Sequence, residues 1–125
     1  GSNTFAYCES LIGSLDIPES VTSIGDSAFK GCSGLKSIEI PDSVTRIGLD
    51  AFENCTSLTS VTIPNSVDII GDYAFEYCTY LSNVTIGDSV TSIGDWAFYN
   101  CTSFTAFTFI NINNWDFLPH NTNII

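Results

Sequence analysis

The chain has no methionine, a single histidine and only three basic residues, Lys30, Lys36 and Arg46. These face 14 acidic residues, for a formal charge of −11. Phosphate binding needs clustered Lys and Arg to displace counterions, so no nucleic acid is expected as a partner. An anionic membrane surface repels the chain for the same reason. No apolar run approaches the roughly 18 residues of a membrane span, so no membrane insertion is expected of this segment. No basic region followed by an apolar run marks a secretory signal. Lacking Met, the chain is expected to be an excised fragment with Gly1-Ser2 left from cloning, and missing targeting signals then say nothing of the parent. The sequence also lacks a zinc-type Cys-x-x-Cys or His pair, a phosphate loop and a nucleophile–base pair. No metal, no cofactor and no enzymatic activity are therefore expected.

What the chain does have is repetition. Cys32, Cys55, Cys78 and Cys101 are 23 residues apart, and Cys8 precedes them by 24. Phe5, Phe29, Phe52, Phe75 and Phe98 each stand three residues before a cysteine. Gly25, Gly48, Gly71 and Gly94 form another column, and Val21, Val44, Val67 and Val90 a further one. A fixed period in the range of about 20 to 50 residues signals a solenoid or array. With 44% hydrophobic residues the chain can fill a continuous core. One cysteine per row, at one phase and among core-type residues, reads as a ladder of reduced thiols rather than a disulfide framework.

Each row opens with alternating apolar and polar residues, at Leu15–Ile17, Ile38–Ile40, Val61–Ile63, Val84–Ile86 and Phe107–Phe109. Period-two alternation of β-branched residues predicts a short strand with one buried face. Pro18, Pro41, Pro64 and Gly87 follow and end it. After an Ile-Gly pair comes Asp-x-Ala-Phe-x-x-Cys, with Asp26, Asp72 and Asp95 in three of the four rows and Leu49 in the other. Asp ahead of apolar residues at helical spacing predicts an N-capped turn or two of α or 3₁₀ helix. Strands stack about 4.8 Å apart and helices need about 8–10 Å, so the stack is expected to curve with its strands on the concave side. One extra residue between Leu11 and Pro18 accounts for the first spacing of 24. Residues 1–112 are thus expected to form the solenoid, a partial first repeat at 1–13 and about four full repeats at 14–112. Residues 113–125 leave the register, and Trp115, Phe117 and Leu118 suggest a terminal cap, with a linker or tail as the alternative.

The columns Leu-x-x-Val-x-Ile-Pro-x-Ser-Val-x-x-Ile-Gly-x-x-Ala-Phe-x-x-Cys resemble the BspA-like leucine-rich repeats, found in surface proteins of oral and gut bacteria and of some parasitic protists. The match runs from about residue 4 to residue 110. It implies a right-handed α/β leucine-rich-repeat solenoid and a secreted or surface-anchored parent. It also implies binding to host extracellular-matrix or plasma proteins or to other cells. It carries no fixed ligand motif.

Most columns have structural readings. The serines Ser20, Ser43, Ser66 and Ser89 are placed to bond backbone groups that a coil leaves unpaired. The aspartates cap; a calcium site would need six to eight oxygens from a dedicated loop. The glycosylation sequons at Asn54, Asn83 and Asn100 matter only in a eukaryotic secretory pathway. Acidity reads either as solubility or as attraction to a basic protein surface. Function is therefore sought in two sets of residues. One is the outward strand row: Ser37, Glu39, Ser60, Thr62, Asn83 and Thr85. The other is the aromatic set Tyr73, Tyr77, Trp96 and Tyr99 beside the expected helices, which can equally serve to pack neighbouring coils. A protein-binding adhesin module is the first reading. A spacer or array that associates end to end through the strand at 14–17 is the alternative, and a lattice-binding Thr row (Thr62, Thr85, Thr108) has too few members.

Overall fold

A computed structural model describes residues 6–109. The predicted strands are present: β1 (Gly13–Asp16), β3 (Leu35–Glu39), β5 (Ser60–Ile63), β7 (Asn83–Ile86) and β9 (Ala106–Phe109). Between them lie two-residue strands that alternation cannot reveal: β2 (Ser23–Ile24), β4 (Arg46–Ile47), β6 (Ile69–Ile70) and β8 (Ser92–Ile93). The long strands form one parallel sheet in the order β1-β3-β5-β7-β9, and the short ones a second in the order β2-β4-β6-β8. The register repeats the sequence period, with Val61 opposite Val84, Ile63 opposite Ile86 and Ile47 opposite Ile70. The pairing of β1 with β3 slips once, Gly13 lying opposite Leu35 and Ser14 opposite Ser37 so that Lys36 is passed over, and Gly13 takes a φ of +87° there.

The core fills the space between the sheets and the turns. Val61, Ile63, Val67, Ile70, Ala74, Phe75, Cys78 and Leu81 of the middle coil are all buried. Because each coil is a translated copy of the last, its Phe rings must stack in parallel. Centroids in the series Phe29, Phe52, Phe75 and Phe98 are 5.3, 5.1 and 5.2 Å apart, with interplanar angles of 9° or less.

The expected helices are not there. Among the described residues Asp-x-Ala-Phe-x-x-Cys is a run of turns, and its hydrogen bonds say why. Phe52 N–H donates to Ala74 O at 2.7 Å and Asn54 N–H to Glu76 O at 2.8 Å, both in the next coil. The amides between them bond inside the turn, Glu53 N–H to Asp50 O at 3.1 Å and Cys55 N–H to Phe52 O at 3.2 Å. Alternate amides thus point along the stack, whereas a helix directs every amide along its own axis. Phe rings 5.1–5.3 Å apart in successive coils also leave no room for helices at their usual spacing of about 8–10 Å.

The aspartates do cap, but they cap a neighbour. Asp26 Oδ1 accepts from Leu49 N–H at 2.9 Å, and Asp72 Oδ1 from Asp95 N–H at 2.8 Å, each one coil away. Ser43 and Ser66 bond backbone as expected, each donating to a carbonyl of the preceding coil (Val21 O and Val44 O) at 2.6 Å. Ser89 departs from them and donates to Asp88 Oδ1 at 3.3 Å. The cysteines are free thiols. Cys55, Cys78 and Cys101 donate to Phe29 O, Phe52 O and Phe75 O at 3.2 Å. Burial pushes the Cys55 and Cys101 thiols up to about 12, and Cys78 well above the ordinary thiol value. The proposed cap at residues 113–125 lies outside the described residues.

Candidate functional site

Pairing in the first sheet lines up the outward strand positions in two rows. Ser37, Ser60 and Asn83 follow one another, and Thr62 lies opposite Thr85. Glu39, Ser60, Thr62 and Asn83 are exposed, and Ser37 and Thr85 half-buried. The side chains are small or polar, and no aromatic ring stands among them.

The turns carry the larger side chains. Two positions of each turn hold a left-handed backbone. The first is occupied by Ser27, Asp50, Tyr73 and Trp96, with φ of 57°, 57°, 59° and 58°. The second is occupied by Tyr7, Gly31, Asn54, Tyr77 and Asn100, with φ between 58° and 74°. Gly, Asn and Asp tolerate this region, whereas bulky side chains there are rare and strained, at a cost on the order of 1–3 kcal/mol. In coils three and four the chain nevertheless places Tyr73, Tyr77 and Trp96 at these positions.

The turn geometry brings the predicted aromatic set together. Trp96 and Tyr99 meet edge to face at 4.8 Å, and Tyr99 meets Tyr77 in the same manner at 6.0 Å. Tyr73, Trp96 and Tyr99 line a shallow depression of about 200 Å³, and Glu76 completes it. Two adjacent coils build it, each contributing residues three apart: Tyr73 and Glu76 below, Trp96 and Tyr99 above. Among the described residues the lining of this depression includes none of the strand-face residues, which sit on other elements.

Glu76 was absent from the predicted set. Its column reads Lys30, Glu53, Glu76, Tyr99, and that departure from repetition was the available signal. Lower in the stack Lys30 Nζ lies 3.5 Å from Glu53 and 3.7 Å from Asp50. Burial alone would lower the Lys30 value, but Glu53 and Asp50 outweigh it and hold the ammonium's value above normal. Glu53 and Glu76 are both pushed up, first by burial and then by repulsion from Asp50, with Lys30 partly offsetting. Glu76 makes no ion pair among the described residues. Among those residues no group of His, Cys, Asp and Glu is arranged to hold a metal, and no helix is long and apolar enough to cross a membrane.

The BspA-type leucine-rich-repeat region family matches residues 1–120, in six copies. The chain belongs to this family. A leucine-rich-repeat protein of T. pallidum, TpLRR, is 37% identical and superposes with a TM-score of 0.79 over 85% of this chain and 49% of its own. A leucine-rich-repeat protein from Bacteroides ovatus is 27% identical, with a TM-score of 0.56 over 81% of this chain and 43% of its own. The pneumococcal vaccine antigen PcpA, 19% identical, shares the fold with a TM-score of 0.57 over 77% of this chain and 29% of its own. The chain therefore spans less than half the length of each of these structures. A comparison with curated proteins found no match. As a BspA-type repeat, the chain is a parallel-strand solenoid of about four turns, a scaffold suited to protein interaction.

Proposed function

We propose that this chain is a protein-binding module of a cell-surface or secreted adhesin, docking another protein through the aromatic turn face of coils three and four. One observation carries the reading. Tyr73 and Trp96 occupy a strained left-handed position that the other described rows give to Ser or Asp, and Tyr77 one that the rows on either side give to Asn. Selection for stability alone would favour the smaller residues. Tyr73 and Tyr77 also keep 36% and 38% of their surface exposed, as binding aromatics must. Protein hot spots favour Tyr and Trp for their large, rigid contact area. The polar strand row has neither ring nor hollow and serves as flank. Family resemblance to surface proteins supports a surface location, and host extracellular-matrix or plasma proteins are the partner class we take from it.

The test uses residues that the fold already accepts at these columns. Immobilised chain is screened against purified matrix and plasma proteins, as wild type and as Tyr73→Ser plus Tyr77→Asn. Ser27 and Asn54 occupy the equivalent positions, so the variant should fold. A hot-spot pair is expected to cost at least about 2 kcal/mol, a 30-fold loss of affinity. Equal binding by the variant would remove the aromatic face from consideration. Binding of nothing in the panel would favour the spacer reading.

A further inference from the structure

We propose that the depression between Tyr73, Glu76, Trp96 and Tyr99 receives one cationic side chain, arginine or lysine, from a basic segment of the protein partner. The inference rests on the protein-binding reading above and gives that partner its chemistry. Three features of the hollow select a cation. Its walls are aromatic rings, whose faces attract guanidinium and ammonium groups. It contains a carboxylate, Glu76, that has no cation within salt-bridge distance among the described residues. And the chain has almost nothing of its own to put there. Of its three basic residues, Lys30 is held between Asp50 and Glu53, Arg46 lies 3.8 Å from Asp26, and Lys36 stands on β3 outside the lining of the hollow.

Other occupants fit less well. An anion would be repelled by Glu76, which already feels the charge of Asp50 and Glu53. A neutral apolar side chain would bury Glu76 without a partner, which is costly for a charge. The hollow's volume of about 200 Å³ suits a single side chain end rather than a strand or a helix. The chain's net charge of −11 would also steer a basic partner towards it and speed their encounter.

Trp96 stands in the hollow and reports on it directly. Trp96 and Trp115 are the two tryptophans, so Trp115→Phe leaves Trp96 as the sole indole emitter. In that background the emission is titrated with capped Gly-Arg-Gly and with capped Gly-citrulline-Gly, the neutral near-isostere. The expected result is a saturable change with at least tenfold tighter binding of the arginine peptide. Glu76→Gln should remove that preference, and Glu19→Gln, an exposed acid away from the hollow, should leave it intact. Circular dichroism melts of each variant confirm that the fold persists. Equal binding of the two peptides, no saturable change, or a preference surviving Glu76→Gln would each overturn the proposal. The protein panel separates this from failure of the broader reading. A panel partner lost on Tyr73→Ser plus Tyr77→Asn, with no arginine preference, sinks the cation site alone. If nothing in the panel binds while the peptide preference holds, the cation site stands and the matrix or plasma partner falls.

Discussion

At the scale of the residue, left-handed positions distinguish the side chains that build this stack from those available for use. Gly31, Asn54 and Asn100 share a column with Tyr77, and Ser27 and Asp50 share one with Tyr73 and Trp96. Gly and Asn at a fixed phase are a sign of positive φ, one that the helical spacing of Asp-x-Ala-Phe masks. Local spacing cannot show that alternate amides will bond to another coil. The strain has a direct measurement. Ala at position 73 keeps a Cβ in the left-handed region, and Gly does not. In most positions Gly is the less stable of the two by about 0.5–1 kcal/mol, through the entropy it loses on folding. Here the order should reverse, with Tyr73→Gly more stable than Tyr73→Ala by about 1 kcal/mol in urea unfolding. Equal or lower stability of the glycine variant would mean that position 73 carries no strain.

At the scale of the element, a coil is defined by how near its neighbour it can come. The Gly column follows the short strands, and Gly71 N–H donates to Ile47 O at 2.9 Å. A Cβ built on Gly71 would fall 2.7 Å from the carbonyl carbon of Gly48 and from the amide nitrogen of Leu49. Both are backbone atoms, so relief requires the two coils to separate. Gly71→Ala should therefore destabilise by about 3 kcal/mol, the upper range for overpacking, although Ala usually stabilises relative to Gly. A shift in the urea midpoint without a change in slope is the expected signature. The five long strands were legible because their apolar residues alternate, and a Pro or Gly ends the first four. The second sheet was not. Each of its strands has two residues, of which only the second (Ile24, Ile47, Ile70, Ile93) is buried, and one buried residue has no period. The candidate site was half legible. Its rings stood out as departures from the repeat, while Glu76 looked like an ordinary surface acid until the turn brought it beside Trp96 and Tyr99.

At the scale of the whole molecule, the stack sets side chains 23 residues apart one above another, so charges in one column add. Asp50, Glu53 and Glu76 gather on the turn side, and Lys30 neutralises only the lower part of the group. Burial, reinforced by Asp50, holds the folded Glu76 value above the ordinary carboxylate value of about 4.3. Between those two values the folded chain binds more protons than the unfolded chain, so stability falls as pH rises through this window. Below the ordinary value Glu76 exerts no penalty, and above its folded value the penalty is complete. Glu76→Gln should therefore raise the thermal midpoint at pH 7 and leave it nearly unchanged at pH 4. Added salt should narrow the gap at pH 7 by screening the repulsion from Asp50. A variant no more stable at pH 7 than at pH 4, relative to wild type, would show that Glu76 is not held at a cost. If the gain is seen, the substitution that erases the arginine preference is also the one that stabilises the chain. A carboxylate kept against the stability of its own fold is what a site awaiting a cation requires, because the partner's charge relieves the repulsion on binding.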